Sequence, residues 1–108
     1  MQGLNRTYLI GNVVKVEACK DALLIVEIET PHSRKIDGEW SDGTITHRLV
    51  SSGKEADFVA RHTKVGDVLA VEATIIPERM VARKDNSVYG ASLRLDRVLS
   101  TASRSNHA

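Results

Sequence analysis

Most of this chain consists of short segments rich in apolar and branched residues, in places alternating with polar ones, a pattern typical of strands buried on one face. The clearest case is Ala22 to Thr30, in which branched apolar residues lead into Glu27-Ile28-Glu29. Similar segments run over Asn5 to Glu17, Thr44 to Ser51, Val68 to Ile76 and Val88 to Leu99. In the segment that begins at Val68, the alternation predicts that Leu69, Val71, Ala73 and Ile75 face the core. The chain is therefore predicted to consist mostly of five strands.

One helix signal interrupts the strands. Ser52-Gly53-Lys54-Glu55 matches a capping box, in which the Ser and Glu side chains each satisfy an amide at the start of a helix. Ala56 and Val59 follow at helical spacing, so we predict a short helix that ends near His62. Three strands, one helix and two strands is the element order of the OB-fold, a five-stranded Greek-key barrel. We therefore predict an all-β OB-fold with one short α-helix between strands 3 and 4.

Two polar stretches are predicted to be long loops. Pro31 lacks a backbone donor and is expected to end the second strand, which makes His32 to Thr44 a loop. Pro77 is expected to end the fourth strand in the same way, before the polar stretch from Glu78 to Ser87. Loops of this length are often functional.

The length and composition limit the number of domains and the classes of protein to which the chain can belong. With 108 residues, the chain has room for one domain, so we expect an OB-fold domain over residues 1–100 and a disordered polar tail over 101–108. The apolar runs reach only five residues, and we expect a cytoplasmic protein without a membrane span. Cys19 is the only cysteine and the four histidines are scattered, so neither a metal site nor another cofactor is expected. A net charge of +1 gives no compositional argument for nucleic-acid binding.

Several short motifs occur in the same order as in a known family. The first motif is Gly3-Leu4-Asn5-Arg6-Thr7-Tyr8-Leu9-Ile10-Gly11-Asn12-Val13, and Thr46-His47-Arg48-Leu49-Val50 follows in the third predicted strand. Gly53-Lys54-Glu55-Ala56 and Val65-Gly66-Asp67-Val68 come next. Together these segments resemble the bacterial single-stranded DNA-binding proteins, and the resemblance spans residues 3–99. It implies sequence-nonspecific binding of single-stranded DNA in replication, repair or recombination, in a groove between the two long loops and strands 2 to 4. It also implies a homo-oligomer, a dimer or a tetramer, with His47 near a subunit contact.

The chain also departs from this family. The positions at which the family stacks bases on aromatic residues correspond to His32, Thr46, Ser52 and Met80. Because stacking is worth about 1–3 kcal/mol per base, their replacement predicts weaker binding or greater reliance on phosphate contacts. The family's acidic carboxy-terminal tail has no counterpart here, where Arg104 stands instead. In both departures the chain resembles primosomal replication protein N. The alternative function is therefore an adaptor that binds DNA weakly and binds a replication or primosome protein through its barrel.

The candidate DNA contacts in the second loop are Arg79, Arg83 and Lys84, with Met80 among them. A phosphate strand crossing this loop would meet three cations within a few residues. The alternative interpretation is a solvated loop whose charge is offset by Glu78 and Asp85.

The first loop carries Arg34, Lys35 and the only tryptophan, Trp40. Trp40 lies among polar residues, so it is a poor core candidate and a candidate for base stacking, although it could instead cap the barrel or pack on another subunit. Arg48 is predicted to share the groove face of its strand with Thr46, where it could bind phosphate or cover apolar surface with its stem. His47 shares the other face with apolar residues, and we interpret it as an interface residue.

An enzyme is the rival class of function. Phosphodiester cleavage needs clustered carboxylates that hold a metal, or a poised base beside an oxyanion stabiliser. Here Glu27 and Glu29 alternate with apolar residues on one strand, and no group of Asp, Glu and His converges in the sequence. We therefore expect a binding protein and no catalytic residues.

Overall fold

The computed structural model describes residues 3–77 and 91–103. Its elements are β1 (Thr7–Ala18), a short 3-10 helix (Lys20–Ala22), β2 (Leu24–Ile36), β3 (Glu39–Ser51), α1 (Gly53–His62), β4 (Val68–Pro77) and β5 (Ala91–Ala102). The strands close into a barrel in the order β1-β2-β3-β5-β4, and β1 pairs with both β2 and β4. The β3–β5 pair is parallel, and the other pairs are antiparallel. A closed five-stranded barrel with its helix between β3 and β4 confirms the predicted OB-fold.

Alternate residues of each strand fill the barrel, and α1 adds two more. The core consists of Val13, Leu24, Val26, Ile28, Leu49, Ala56, Val59, Leu69, Val71, Ala73 and Leu95. The predicted inward residues of β4 are therefore correct with one exception, because Ile75 is 48% exposed. It keeps the inward register but lies near the end of the strand, opposite Leu93, where the barrel opens to solvent.

One glycine lets β1 change partners. Up to Asn12 the strand pairs with β4, from Asn12 onward it pairs with β2, and the register shifts between Val13 and Lys15. A Cβ at Gly11 would collide with the carbonyl oxygen of Glu29 and with the side chain of Ile28. The sequence predicted a bend or bulge at Gly11-Asn12, and the irregularity lies just after it.

The predicted loop over His32 to Thr44 is wrong, because this stretch forms a long β-hairpin. β2 continues to Ile36, β3 begins at Glu39, and their pairing runs without a break between the two ends. Asp37 and Gly38 form the turn with φ of 52° and 83°, the positive values that a tight hairpin turn requires. Pro31 does not end β2. Beyond Glu29 the described pairing of β2 is with β3 alone, and a proline is tolerated on such an edge when its nitrogen faces solvent.

Helix α1 lies where the sequence predicted it, but its start differs. Ser52 occupies the N-cap position and its side chain makes no capping hydrogen bond. The next residue, Gly53, has φ of 63°, so the chain enters the helix through a left-handed residue that is incompatible with the predicted capping box. At the other end of the chain, β5 extends to Ala102, three residues beyond the predicted end at Leu99. Over the described ranges, no helix has both the length and the apolar character needed to cross a membrane.

Candidate nucleic-acid interface

The register of the β2–β3 hairpin decides which predicted site residues lie together, because residues directly opposite in an antiparallel pair share a face. The inner face continues the buried side of the barrel. It carries the pairs Val26–Leu49, Ile28–His47, Thr30–Ile45, His32–Gly43 and Arg34–Ser41. The outer face carries the pairs Glu27–Arg48, Glu29–Thr46, Pro31–Thr44, Ser33–Asp42 and Lys35–Trp40. Lys35, Trp40 and Arg48 therefore share the outer face, whereas Arg34 and His47 lie on the inner face.

Trp40 lies beside the hairpin turn with 71% of its surface exposed. The prediction that it is not a core residue is confirmed, and this exposure excludes the interpretation that it caps the barrel of its own chain. It makes no ring contact in the described part of the chain, where the one aromatic pair is Phe58 with His62. Its direct neighbour across the ribbon is Lys35. An exposed indole and an ammonium group therefore stand side by side on one face.

Neither Arg34 nor Lys35 has an ion pair or hydrogen bond through its side chain within residues 3–77 and 91–103. The arginines on the outside of β4 and β5, and the one just before β1, differ in this respect. Arg6 Nε and Arg97 Nη2 lie 3.8 and 3.4 Å from Glu72 Oε1, and Arg94 Nε lies 2.8 Å from Asp96 Oδ1. The two hairpin cations therefore remain available to a phosphate. The charges of Arg6, Arg94 and Arg97, in contrast, are already neutralised by Glu72 and Asp96.

Asp96 on β5 accepts hydrogen bonds from a β4 residue, Thr74, and from its β5 neighbour Arg94. Partial burial by itself would raise the pKa of its carboxyl group. Hydrogen bonds donated by Thr74 Oγ1 (2.5 Å) and Arg94 Nε (2.8 Å), with the charges of Arg94 and Arg6, outweigh burial and lower the pKa below its usual value. Asp96 therefore stays ionised at neutral pH and holds Arg94 against the sheet.

The hairpin is not a uniformly basic arm. Between His32 and Ile45, two cations, Arg34 and Lys35, are accompanied by three acids, Asp37, Glu39 and Asp42. On the outer face nearer the barrel, Glu27 lies opposite Arg48 and Glu29 lies opposite Thr46. Any binding of a polyanion here therefore depends on individual cations and on stacking, since the hairpin as a whole creates no strong positive field.

His47 is half-buried on the inner face, where its Nε2 shares a 2.9 Å hydrogen bond with Thr30 Oγ1. This bond orients the ring within its own chain. The interface role stays a prediction.

The second predicted loop cannot be placed, because Arg79, Met80, Arg83 and Lys84 lie outside the described residues. Within the described ranges, no group of three or more His, Cys, Asp or Glu side chains is arranged to hold a metal ion.

The sequence did not reveal that the candidate residues divide between the outer and inner faces of the hairpin. The signal that could have found it is Asp37-Gly38, since a two-residue turn fixes the register of both strands and hence the face of every residue.

Solved structures with this barrel include several that bind single-stranded DNA. The Plasmodium falciparum SSB in complex with single-stranded DNA aligns with a TM-score of 0.71 over 89% of this chain and 90% of its own, at 15% identity. The chain shares its fold. The small single-stranded DNA-binding proteins of Mycoplasma pneumoniae and Streptomyces coelicolor align with TM-scores of 0.66 and 0.57, at 15% and 14% identity. They cover 91% and 95% of this chain, and 94% and 96% of their own lengths. The sequence matches no known protein-family model.

Proposed function

We propose that this protein binds single-stranded DNA without reading its sequence, in replication, repair or recombination in the cytoplasm, and does no chemistry on it. The observation that carries the proposal is the exposed Trp40 directly across the hairpin from Lys35, which has no ion pair among the described side chains. OB-folds bind oligonucleotides on the face of strands 2 and 3, which is the surface that holds this pair. The resemblance in the sequence and the fold shared with single-stranded DNA-binding proteins support the same function.

The proposed contacts account for binding without sequence preference. A base stacks on the Trp40 indole, and the Lys35 ammonium group meets a neighbouring phosphate. Every base has a face that can stack and every nucleotide has a phosphate, so neither contact depends on base identity. With Thr46 and His32 in place of the family's aromatic residues, the stacking surface is small, and moderate affinity is expected.

Titration of the intrinsic fluorescence with oligothymidylate tests the proposal, because Trp40 is the only tryptophan. We expect quenching that saturates, at an affinity that falls as salt rises. In parallel, anisotropy of a labelled oligothymidylate is measured with Trp40→Ala and Trp40→Phe. Alanine should weaken binding by about 1–3 kcal/mol, the value of one stacked base, and phenylalanine should restore most of it.

Arg61→Ala is a matched control, since this exposed cation lies on α1, away from the hairpin. It should leave the affinity unchanged. The absence of quenching, together with equal affinities for Trp40→Ala and the unsubstituted protein, would refute the proposed site. The adaptor alternative predicts weak binding that hardly changes with salt, and no observation on the described residues favours it.

We also propose that the protein assembles as a homo-oligomer, a dimer or a tetramer, with His47 near a subunit contact. Tyr8 and Ile10 support assembly, since they share the outward face of β1 and are 57% and 68% exposed. Sedimentation velocity should give a mass above that of the 11.9 kDa chain. A monomer at micromolar concentration would contradict this part of the proposal.

A further inference from the structure

A small pocket of about 180 Å³ lies between helix α1 and the connection from β1 to β2. Four alanines line it, Ala18 and Ala22 on the side of the connection and Ala56 and Ala60 on the helix. Because methyl groups are short, they leave space between the two walls. Asp57, an exposed acid, is also part of the lining. The pocket therefore has room for a branched apolar side chain from outside, with a cation beside it.

Both walls of the pocket are held by the fold. In the connection, Asp21 and Ala22 have left-handed φ values of 64° and 60°, and the amide of Cys19 donates a 2.8 Å hydrogen bond to the carbonyl of Leu23. These features close a tight turn. On the other side, Ala56 belongs to the hydrophobic core and fixes the helix against the barrel. The pocket is therefore a feature of the folded chain and not a gap between loose segments.

The segment before β1, residues 3–6, presents an apolar side chain of suitable size. Leu4 is 82% exposed, the highest value among the large apolar residues that the structure describes. The segment is held in place, because Asn5 Nδ2 donates a 2.7 Å hydrogen bond to the carbonyl of Ile75, and the amide of Ile75 donates one of 3.1 Å to Asn5 Oδ1. These bonds continue the pairing of β1 with β4 beyond Thr7. Leu4 is therefore an apolar side chain that is held in solvent.

The charges beside Leu4 and beside the pocket are opposite. Arg6 follows Leu4 by two residues, so in a strand-like segment both side chains leave the same side. Arg6 Nε lies 3.8 Å from Glu72 Oε1, which is long for an ion pair, and Arg97 stays 3.4 Å from the same oxygen if Arg6 turns away. Arg6 can therefore pair with the carboxylate of Asp57 when Leu4 enters a pocket.

One chain cannot bring Leu4 to its own pocket. Leu4 precedes β1, and Ala18 in the pocket is the last of the 12 residues of that strand, a distance of roughly 40 Å along it. We infer that Leu4 of one molecule inserts into the pocket of a second copy, with Arg6 beside Asp57. Such a contact joins two different surfaces, so it repeats from molecule to molecule and can link closed dimers or tetramers. It needs no DNA, and its failure would leave the proposed DNA contacts untouched.

Complementation between two variants tests the inference by sedimentation velocity without DNA. Leu4→Ser removes the inserted side chain and keeps the pocket, whereas Ala60→Leu fills the pocket and keeps Leu4. The unsubstituted protein should form species larger than a tetramer as its concentration rises. Each variant alone should lose affinity for this contact by about tenfold or more, the loss expected for one buried leucine. An equal mixture of the two should associate again, because it retains one intact Leu4 and one intact pocket.

Two further variants complete the design. Val65→Ser is the matched control, since Val65 is 64% exposed and is not part of the lining, and it should associate like the unsubstituted protein. Asp57→Lys places a cation opposite Arg6 and should weaken association most at low salt, where charges are least screened. Thermal melting identifies an Ala60→Leu protein that fails to fold, and Ala18→Leu, at an exposed position on the opposite wall, then fills the pocket instead.

Four results would overturn the contact. The first is an unsubstituted protein that never exceeds its closed assembly, and the second is normal association of both variants. If only the filled pocket impairs association, the pocket takes another segment and Leu4 is the wrong occupant. If each variant is impaired and their mixture does not recover, Leu4 acts in a self-complementary interface and does not enter this pocket.

Discussion

Removal of one hairpin cation should change the salt dependence of DNA binding by a defined amount. Each phosphate contact contributes about 0.7 to the slope of log affinity against log salt on single strands. Lys35 is exposed and has no ion pair among the described side chains. Lys35→Ala therefore removes a cation that is available to phosphate and leaves no acid newly unpaired. We expect its slope to be shallower than that of the unsubstituted protein by about 0.7.

Arg34 provides a second, separate step. Its side chain leaves the opposite face of the ribbon and makes no hydrogen bond to Lys35. Because the two residues share no partner, their effects should add, and Arg34→Ala with Lys35→Ala should reduce the slope by about 1.4. Any salt dependence of the affinity that remains in the double variant comes from cations other than Arg34 and Lys35. The remaining candidates from the sequence are Arg48, Arg79, Arg83 and Lys84, and replacement of the last three by alanine should flatten the dependence further.

The assay is anisotropy of labelled oligothymidylate over a series of chloride concentrations, with each slope fitted separately. Arg97→Ala is the matched control, because this arginine is already paired with Glu72 at 3.4 Å. Its slope should equal that of the unsubstituted protein. The reasoning is refuted if Lys35→Ala leaves the slope unchanged, or if Arg97→Ala lowers it by the same amount.

Three further predictions concern the framework that holds the site. Gly11→Ala should destabilise the protein by about 1–3 kcal/mol in urea unfolding, because the new Cβ collides with the Glu29 carbonyl, and an unchanged midpoint would contradict the close approach. Gly38→Val places a branched residue at φ of 83° and should weaken DNA binding more than it lowers the melting temperature, since it distorts the hairpin that extends beyond the barrel. Asp96 has a lowered pKa in the folded protein, so its contribution to stability is present above the unfolded pKa of about 3.9 and is lost as pH falls through the folded value. Asp96→Asn should therefore lower the melting temperature at pH 7 more than at pH 3, and an equal loss at both would refute the assignment.

The barrel could be predicted from sequence because its strands have a buried side. In β4, Leu69, Val71 and Ala73 occupy alternate positions and are fully buried, and the polar residues Glu72 and Thr74 lie between and beyond the last of them. The helix could be placed for the same reason, although Gly53 starts it in a way that the capping box did not predict.

The hairpin could not be found by the same reasoning. Beyond Thr30, β2 and β3 form a ribbon with solvent on both faces, so no core imposes alternation on their residues. Composition then resembles a loop, and Pro31 strengthens that impression. Asp37-Gly38 was the one local signal, and the rule that uses it expects alternating apolar residues on either side, which are missing here.

The charges of this hairpin also bear on how the protein can bind DNA. A groove that attracts a polyanion through its field needs an excess of cations, and the described hairpin has three acids for its two cations between His32 and Ile45. Contacts must therefore be local, one phosphate to one cation and one base to one ring. A ribbon that is exposed on both faces offers a cation on each, Lys35 beside Trp40 outside and Arg34 inside. Because stacking is less sensitive to salt than phosphate contacts are, a substantial part of the affinity should persist at salt concentrations that release DNA from a basic groove.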